Sequence, residues 1–358
     1  MDVTGIEYVE FYVGNAPQAA HFYRTALGFT PLAFKGLETG EREKASVLMQ
    51  QNNIRFVLTS PLQSESPIAE HVMTHGDGVK DIAFSVTDAR AAFKEAVERG
   101  AKPVQEPQEF EWNDVTTIKA TVGGCGDMVH SLIQRSTREH TCLPGFKPLN
   151  GEARPAQSTG LAAIDHVAIC VYPGELKKWS NFYLDVFDFE LSHQEDIVTE
   201  YSAMNSRVVQ NRSGRVKFPM MEPAPGRRKS QIEEYLTYHR GPGAQHIALI
   251  SGDIFRSVKQ LSDGGINFLD TPKSYYDMLE ERLGKIKEDP QSLRDLNVLV
   301  DRDQWGYLMQ IFTKPIHGRP TAFFEIIQRN GARGFGGGNI KALFEAIERE
   351  QARRGNLS

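Results

Sequence analysis

Three residues in the second half of the sequence have the types and settings that metal chemistry needs: His166 in "DHVAI", His246 in "QHIAL" and Glu325 in "FFEII". Each sits in a short apolar run that reads as a β-strand, where alternate side chains share a face. Such strands could aim all three polar groups into the mouth of one barrel. Two imidazoles and one carboxylate form the facial ligand set that suits non-heme Fe(II), with coordination positions left open for substrate and O2. Taken singly, a strand histidine is more often a hydrogen-bonded core residue. Glu325 resists that reading, because an unpaired carboxylate among apolar neighbours is expensive to bury.

The elements that must position these groups are visible as an internal repeat. "IEYVEFYVGNAPQAAHFYRTALGF" (6–29) parallels "IDHVAICVYPGELKKWSNFYLDVFDF" (164–189), each reading as strand, loop, amphipathic helix and turn. "GVKDIAFSVTDARAAFKEAVERGAKPVQEP" (78–107) parallels "GAQHIALISGDIFRSVKQLSDGGINFLDTP" (243–272), a strand and a helix that stops at glycine. The strands "VHSLIQR" (129–135) and "FFEIIQR" (323–329) also match. This alignment sets His166 opposite Tyr8, His246 opposite Asp81 and Glu325 opposite Ser131. The first half therefore has no comparable ligand set. We expect an N-terminal domain (1–135) without metal ligands, serving structure and oligomer contacts. A Pro- and Gly-rich linker (136–160) follows, then a catalytic domain (161–358) closed by a C-terminal helix. In that helix Ile340, Leu343, Phe344 and Ile347 form one apolar stripe after the glycine run "GFGGGN". No P-loop lysine follows those glycines, so lid or hinge mobility is the functional reading for them.

Composition closes off other classes. A 358-residue chain with 40% hydrophobic and 24% charged residues has the make-up of a globular protein of about two domains. A net charge of −5 gives no basic footprint for nucleic acid. No apolar run reaches the roughly 20 residues that span a bilayer, and the N-terminus lacks the basic and apolar regions of a secretory signal. Cys125, Cys142 and Cys170 are too scattered for a disulfide framework or a zinc knuckle, so a reducing, cytoplasmic setting is expected.

Longer stretches resemble a known family. The paired modules look like the α+β vicinal oxygen chelate fold, two related open barrels of βαβββ units. The text "FPMMEPAPGRRKSQIEEYLTYHRGPGAQHIAL" (218–249), "FLDTPKSYYDML" (268–279), "GYLMQIFTKPIHGRPTAFFEIIQR" (306–329) and the tail from 334 is similar to the 4-hydroxyphenylpyruvate dioxygenase family, which includes hydroxymandelate synthases. The resemblance implies Fe(II) held by His166, His246 and Glu325, with 4-hydroxyphenylpyruvate and O2 as substrates. It implies neither 2-oxoglutarate nor a nicotinamide or flavin. Ser206, Gln231, Gln245 and Gln310 match the family's pocket hydroxyl and amides, and Phe312 and Phe335 match aromatics around the substrate ring. A homodimer or homotetramer is the implied assembly.

Within that family the product depends on which carbon is oxidised. Ring attack gives homogentisate, and benzylic hydroxylation gives 4-hydroxymandelate. The usual dioxygenase pattern has G-N-F where this chain has Gly338-Asn339-Ile340, an Asn at the position of Met221, and commonly an Asn at that of Cys170. Ile340, Met221, Cys170 and "AMNSRVVQ" (203–210) resemble the synthases; Pro219 and Phe344 look dioxygenase-like. These substitutions lead us to expect 4-hydroxymandelate, with homogentisate formation as the alternative. Two readings from other classes are an extradiol enzyme that cleaves catechols and a metal-free module that sequesters an aromatic ligand.

Overall fold

The structure is a computed structural model that describes residues 1–112, 115–137, 143–149 and 157–356. Two curled sheets, each a half-barrel carrying helices, repeat the same plan. The first half is ordered Pro103–Trp112, Val115–Gly123, Val129–Arg135, Gly78–Val86, Val3–Tyr12, Ile54–Pro61, Lys44–Gln51, Thr30–Lys35. The second, read from its opposite edge, is Leu299–Asp303, Gly306–Phe312, Phe323–Asn330, Gly243–Ser251, Leu161–Cys170, Lys217–Ala224, Ala203–Gln210, Glu190–Val198. Lys147–Pro148, from the segment read as a linker, adds a short strand beside Thr30–Lys35. Leu143 and Phe146 of that segment are buried with Tyr8 and Leu48. Residues 138–142 and 150–156 of it lie outside the described residues.

Helices form where the sequence supplies both a cap and an apolar face. Asp88 and Asp253 occupy equivalent N-caps, accepting from backbone amides of Ala89–Glu98 and Ile254–Asp263. The two halves share one core, in which Phe56 of the first sheet stacks on Phe324 of the second at 5.9 Å.

Register confirms the repeat alignment residue by residue. Tyr8 pairs with Ala83 as His166 pairs with Ala248, and Glu10 pairs with Asp81 as Ala168 pairs with His246. Asp81 pairs with Val129 and His246 with Phe323, so two residues on, Ser131 is the counterpart of Glu325.

Both histidine strands are also irregular beside their ligands. Asp165 is skipped between the Ile164 and His166 pairings, and Gln245 is skipped between those of His246 and Ala244. A bulge of this kind breaks strict alternation and re-aims side chains. That is how two consecutive residues, Gln245 and His246, come to line one cavity.

Candidate metal centre

His166, His246 and Glu325 rise from three adjacent strands and meet. One ligand atom from each lies within 4.8 Å of the others, and all three residues are buried. Glu325 Oε2 is 3.3 Å from His166 Nε2 and 3.6 Å from His246 Nε2. The outer nitrogens fix the tautomers. His166 Nδ1–H donates to Asp165 Oδ2 at 2.8 Å, and His246 Nδ1–H donates to Gln245 Oε1 at 3.3 Å. Both Nε2 atoms are thus turned toward the carboxylate. With no metal, a proton on His166 Nε2 facing Glu325 Oε2 holds these donors together, and a cation takes its place when bound. Donors about 2.0–2.2 Å from a shared ion, at right angles, would stand about 3 Å apart, close to the observed spacing. The donor set fits Fe(II).

Electrostatics behind the ligands supports this. Burial alone would push the Asp165 carboxyl up, but His166 and the Arg329 guanidinium outweigh it and hold it well below the usual range. Arg329 grips Asp165 with two bonds of 2.8 and 2.7 Å. Burial lowers His246 to about 3, so no proton competes for its nitrogen at neutral pH. Burial likewise opposes charge on His166, but Glu325 and Asp165 override it and raise its pKa, so an arriving metal displaces a proton there. On Glu325, burial is outweighed by His166, His246 and Gln310, which keep the carboxylate ionised.

The ligands open onto a pocket whose walls include Ser206, Gln231, Gln245 and Gln310, together with Pro219, Met221, Phe312, Phe335, Ile340 and Phe344. Gln231, which the sequence alone leaves divided between surface and site, is the first residue of the helix Gln231–His239 and is buried. Its Oε1 has no hydrogen-bond partner, an orphaned acceptor beside the cavity. Ser206 Oγ already donates to Glu195 O at 2.8 Å, so its oxygen is left to accept.

Two of the residues matched to the pocket are not among its walls. Cys170 pairs with Met221 in the sheet and is fully buried in the cluster behind it. Asn339 is fully buried behind the wall residue Gln310, its amide 2.9 Å from the Gln310 oxygen. Conversely, His193 and Glu195 line the cavity without having been singled out in the sequence, and Leu343, Met204 and Val208 line it although the sequence marked them only as part of a helix stripe or of the stretch 203–210. His193 and Glu195 lie on an edge strand whose largely exposed pattern carries no core signal.

One other group among the described residues could in principle take a metal: His71, His75 and Asp127. There His75 is already engaged on both sides, by His239 O at 2.6 Å and Asp127 Oδ2 at 2.8 Å, across the junction of the two halves.

Comparison with known proteins agrees with this geometry. A family profile described as "Hydroxyphenylpyruvate dioxygenase, HPPD, N-terminal" matches residues 1–143, and one for the glyoxalase/bleomycin resistance protein/dioxygenase superfamily matches 163–310. The chain is 44% identical to the 4-hydroxyphenylpyruvate dioxygenase of Dictyostelium discoideum over 99% of this chain and 100% of that protein. It is 43% identical to the Neurospora crassa enzyme of the same name, over 99% and 93%. Among solved structures it is similar to a triple mutant of 4-hydroxymandelate synthase from Streptomyces coelicolor. That match has a TM-score of 0.88 and 39% identity, over 98% of this chain and 100% of that one. Identity on this scale over the full length, beside a His-His-Glu group able to hold a metal, means that the chain belongs to the 4-hydroxyphenylpyruvate dioxygenase family, non-heme iron dioxygenases of the vicinal oxygen chelate fold.

Proposed function

We propose that this protein converts 4-hydroxyphenylpyruvate and O2 to 4-hydroxymandelate and CO2. The observation that carries the reading is the wall around Ile340. This residue stands on the first turn of the helix Gly337–Arg354, bordering the same cavity as the metal ligands, Met221 and Phe344. An aliphatic side chain there, where the dioxygenase pattern has a flat ring, leaves room for the substrate to tilt its benzylic carbon toward the metal. A shift of about 1 Å is enough to change rates on the order of a hundredfold.

Iron bound by His166, His246 and Glu325 would chelate the keto acid and activate O2, with the substrate supplying the electrons. One oxygen atom enters the new carboxylate and the other the benzylic hydroxyl. The residues of this chain position the reactants. Gln231 and Ser206 offer acceptors to a phenol, while Phe335, Phe312 and Phe344 hold the ring and exclude water. The cavity left between these walls is only about 40 Å³, against roughly 300 Å³ or more for ordinary ligand pockets. Substrate entry therefore requires these walls to give, and in this reading the C-terminal helix is the wall that moves, with the preceding glycines as its hinge.

The N-terminal half does no metal chemistry in this reading. By register Lys119 is the counterpart of Gln310. It is held with Tyr8 and Asp81, its ammonium 3.0 Å from the Tyr8 hydroxyl, so a fixed internal cation stands where the other half gathers metal ligands. That half would serve the fold and the contacts of a homodimer or homotetramer. No helix among the described residues is long and apolar enough to cross a membrane; a cytoplasmic setting belongs to the proposal.

Formation of homogentisate is the second reading, favoured by the curated relatives, which carry the dioxygenase name at 43–44% identity. Anaerobic reconstitution with Fe(II), then O2 and 4-hydroxyphenylpyruvate, with products separated against authentic standards, decides between them. The products have equal mass, so retention must distinguish them. We expect mainly 4-hydroxymandelate, and in Ile340→Phe a shift toward homogentisate. Homogentisate as the main wild-type product would overturn the benzylic assignment and leave the iron site standing.

A further inference from the structure

We infer that Tyr275, outside the pocket, is a positioning residue that makes Glu325 a one-oxygen metal ligand through a row of two amides. The inference rests on the Fe(II) site proposed above. Tyr275 belongs to the short helix Lys273–Asp277 and is not a wall of the cavity. Its hydroxyl lies 2.7 Å from Asn339 Oδ1, Asn339 Nδ2 lies 2.9 Å from Gln310 Oε1, and Gln310 Nε2 lies 2.7 Å from Glu325 Oε1.

With Glu325 ionised, one order of protons satisfies the metal end of this row. Glu325, ionised, can only accept, so Gln310 must turn its NH2 to it, and that NH2 also faces Phe335 O at 3.3 Å. Gln310 Oε1 then needs a donor, and Asn339 Nδ2 is the atom it meets. Asn339 Oδ1 is thereby turned to Tyr275, whose hydroxyl accepts from Val300 N–H at 2.9 Å and holds its one proton between two acceptors, Asn339 Oδ1 and Val300 O at 2.8 Å. Reversing the Asn339 amide would suit the groups at the tyrosine end. It would also set its oxygen against the Gln310 oxygen, and correcting that would set an oxygen against Glu325. The carboxylate therefore decides the direction of the whole row.

The consequence falls on the metal. With Oε1 occupied by Gln310, only Oε2 faces the two Nε2 atoms, so Glu325 presents one oxygen and the remaining positions stay open for the keto acid and O2. Asn339 and Gln310 are buried, and in this order Asn339 Oδ1 stands 3.0 Å from Val300 O, so the Tyr275 proton between the two oxygens is what lets Asn339 keep its NH2 on Gln310. The same tyrosine is held from behind by Arg282, whose guanidinium lies 4.6 Å from its ring.

The test is anaerobic titration of the full-length metal-free protein with Co(II), followed by its visible absorption, and with Fe(II), for wild type, Tyr275→Phe and Tyr276→Phe. Tyr276 is the buried neighbour whose hydroxyl lies outside the row. Partners behind the ligands are typically worth 10- to 100-fold in metal affinity. Tyr275→Phe is expected to bind both metals at least about 10-fold more weakly and to change the Co(II) spectrum, while Tyr276→Phe binds as wild type. Thermal unfolding of the metal-free variants shows that both fold. Tyr275→Phe with wild-type affinity and spectrum overturns the inference alone. Equal weakening in both variants also overturns it, as general loosening. A wild-type protein that binds neither metal overturns the iron site as well.

Discussion

At the scale of single residues, the candidate metal centre depends on a charge that does not line the cavity. Asp165 is buried, receives the Nδ1–H of His166 and is clamped by Arg329, so it fixes the ring orientation that turns Nε2 toward Glu325. Asp165→Asn keeps the shape but removes the negative charge from a buried pair, leaving the guanidinium uncompensated. We expect metal affinity to fall about 10- to 100-fold. We also expect unfolding stability to drop by about 3–5 kcal/mol. Metal titration and denaturant melts of the variant measure these separately, and unchanged metal binding would mean that Asp165 serves only the fold. His166, His246 and Glu325 were legible in the sequence because each is a polar interruption of an apolar strand at a repeat-related place. Asp165 was not, since strict alternation sends the neighbour of a ligand to the opposite face. Only the bulge brings it into use.

At the scale of elements, the C-terminal helix shows both what a pattern reveals and what it hides. Its apolar stripe was plain from the spacing of Ile340, Leu343, Phe344 and Ile347, and all but Ile340 are buried. What the pattern could not show is how closely its first turn approaches the ligand network. Gly336 caps the helix with φ +72°, and a Cβ there would lie 3.0 Å from Gln310 Oε1 and 3.1 Å from Asp301 Cβ. At the other end Gly355 has φ +73° with nothing within 4 Å. The pair separates backbone strain from crowding. Alanine in the left-handed region costs about 1–2 kcal/mol at either place. Only Gly336→Ala also presses on Gln310. We expect both variants to lose comparable stability in chemical unfolding. Turnover should fall about tenfold or more in Gly336→Ala and stay near wild type in Gly355→Ala. Equal turnover in the two would mean that this helix cap does not reach the site.

At the scale of the whole molecule, the repeat made the equivalence of the halves readable, but their junction was invisible. It joins residues far apart in sequence that follow no period. His71 and His75 on the helix Pro67–His75 stack toward His239 at the end of Gln231–His239, with ring centroids 4.5 Å apart at each step. Arg319 closes the same seam on the carbonyls of Met73 and Tyr238. Burial, together with the nearby His75 and Lys80, lowers His71 to about 3; burial and His75 lower His239 to about 4, and in both cases Asp127 offsets only part of the effect. Both values lie below the roughly 6.5 of an unfolded histidine, so as the pH falls the unfolded chain takes up protons first. The stability these neutral rings contribute is complete above about pH 6.5 and is lost progressively toward pH 4 and then 3, by up to about 1.4 kcal/mol per pH unit for each ring. Carboxylates elsewhere also respond to acid, so the comparison must be internal. His71→Phe keeps an aromatic ring against Tyr12 and removes one titrating group. Denaturant melts from pH 7.5 to 4.5 should show wild type losing stability faster than His71→Phe, the gap widening by on the order of 1 kcal/mol per pH unit below 6.5. Parallel curves for the two proteins would show that His71 is not held neutral at the seam and that acid opens the molecule elsewhere.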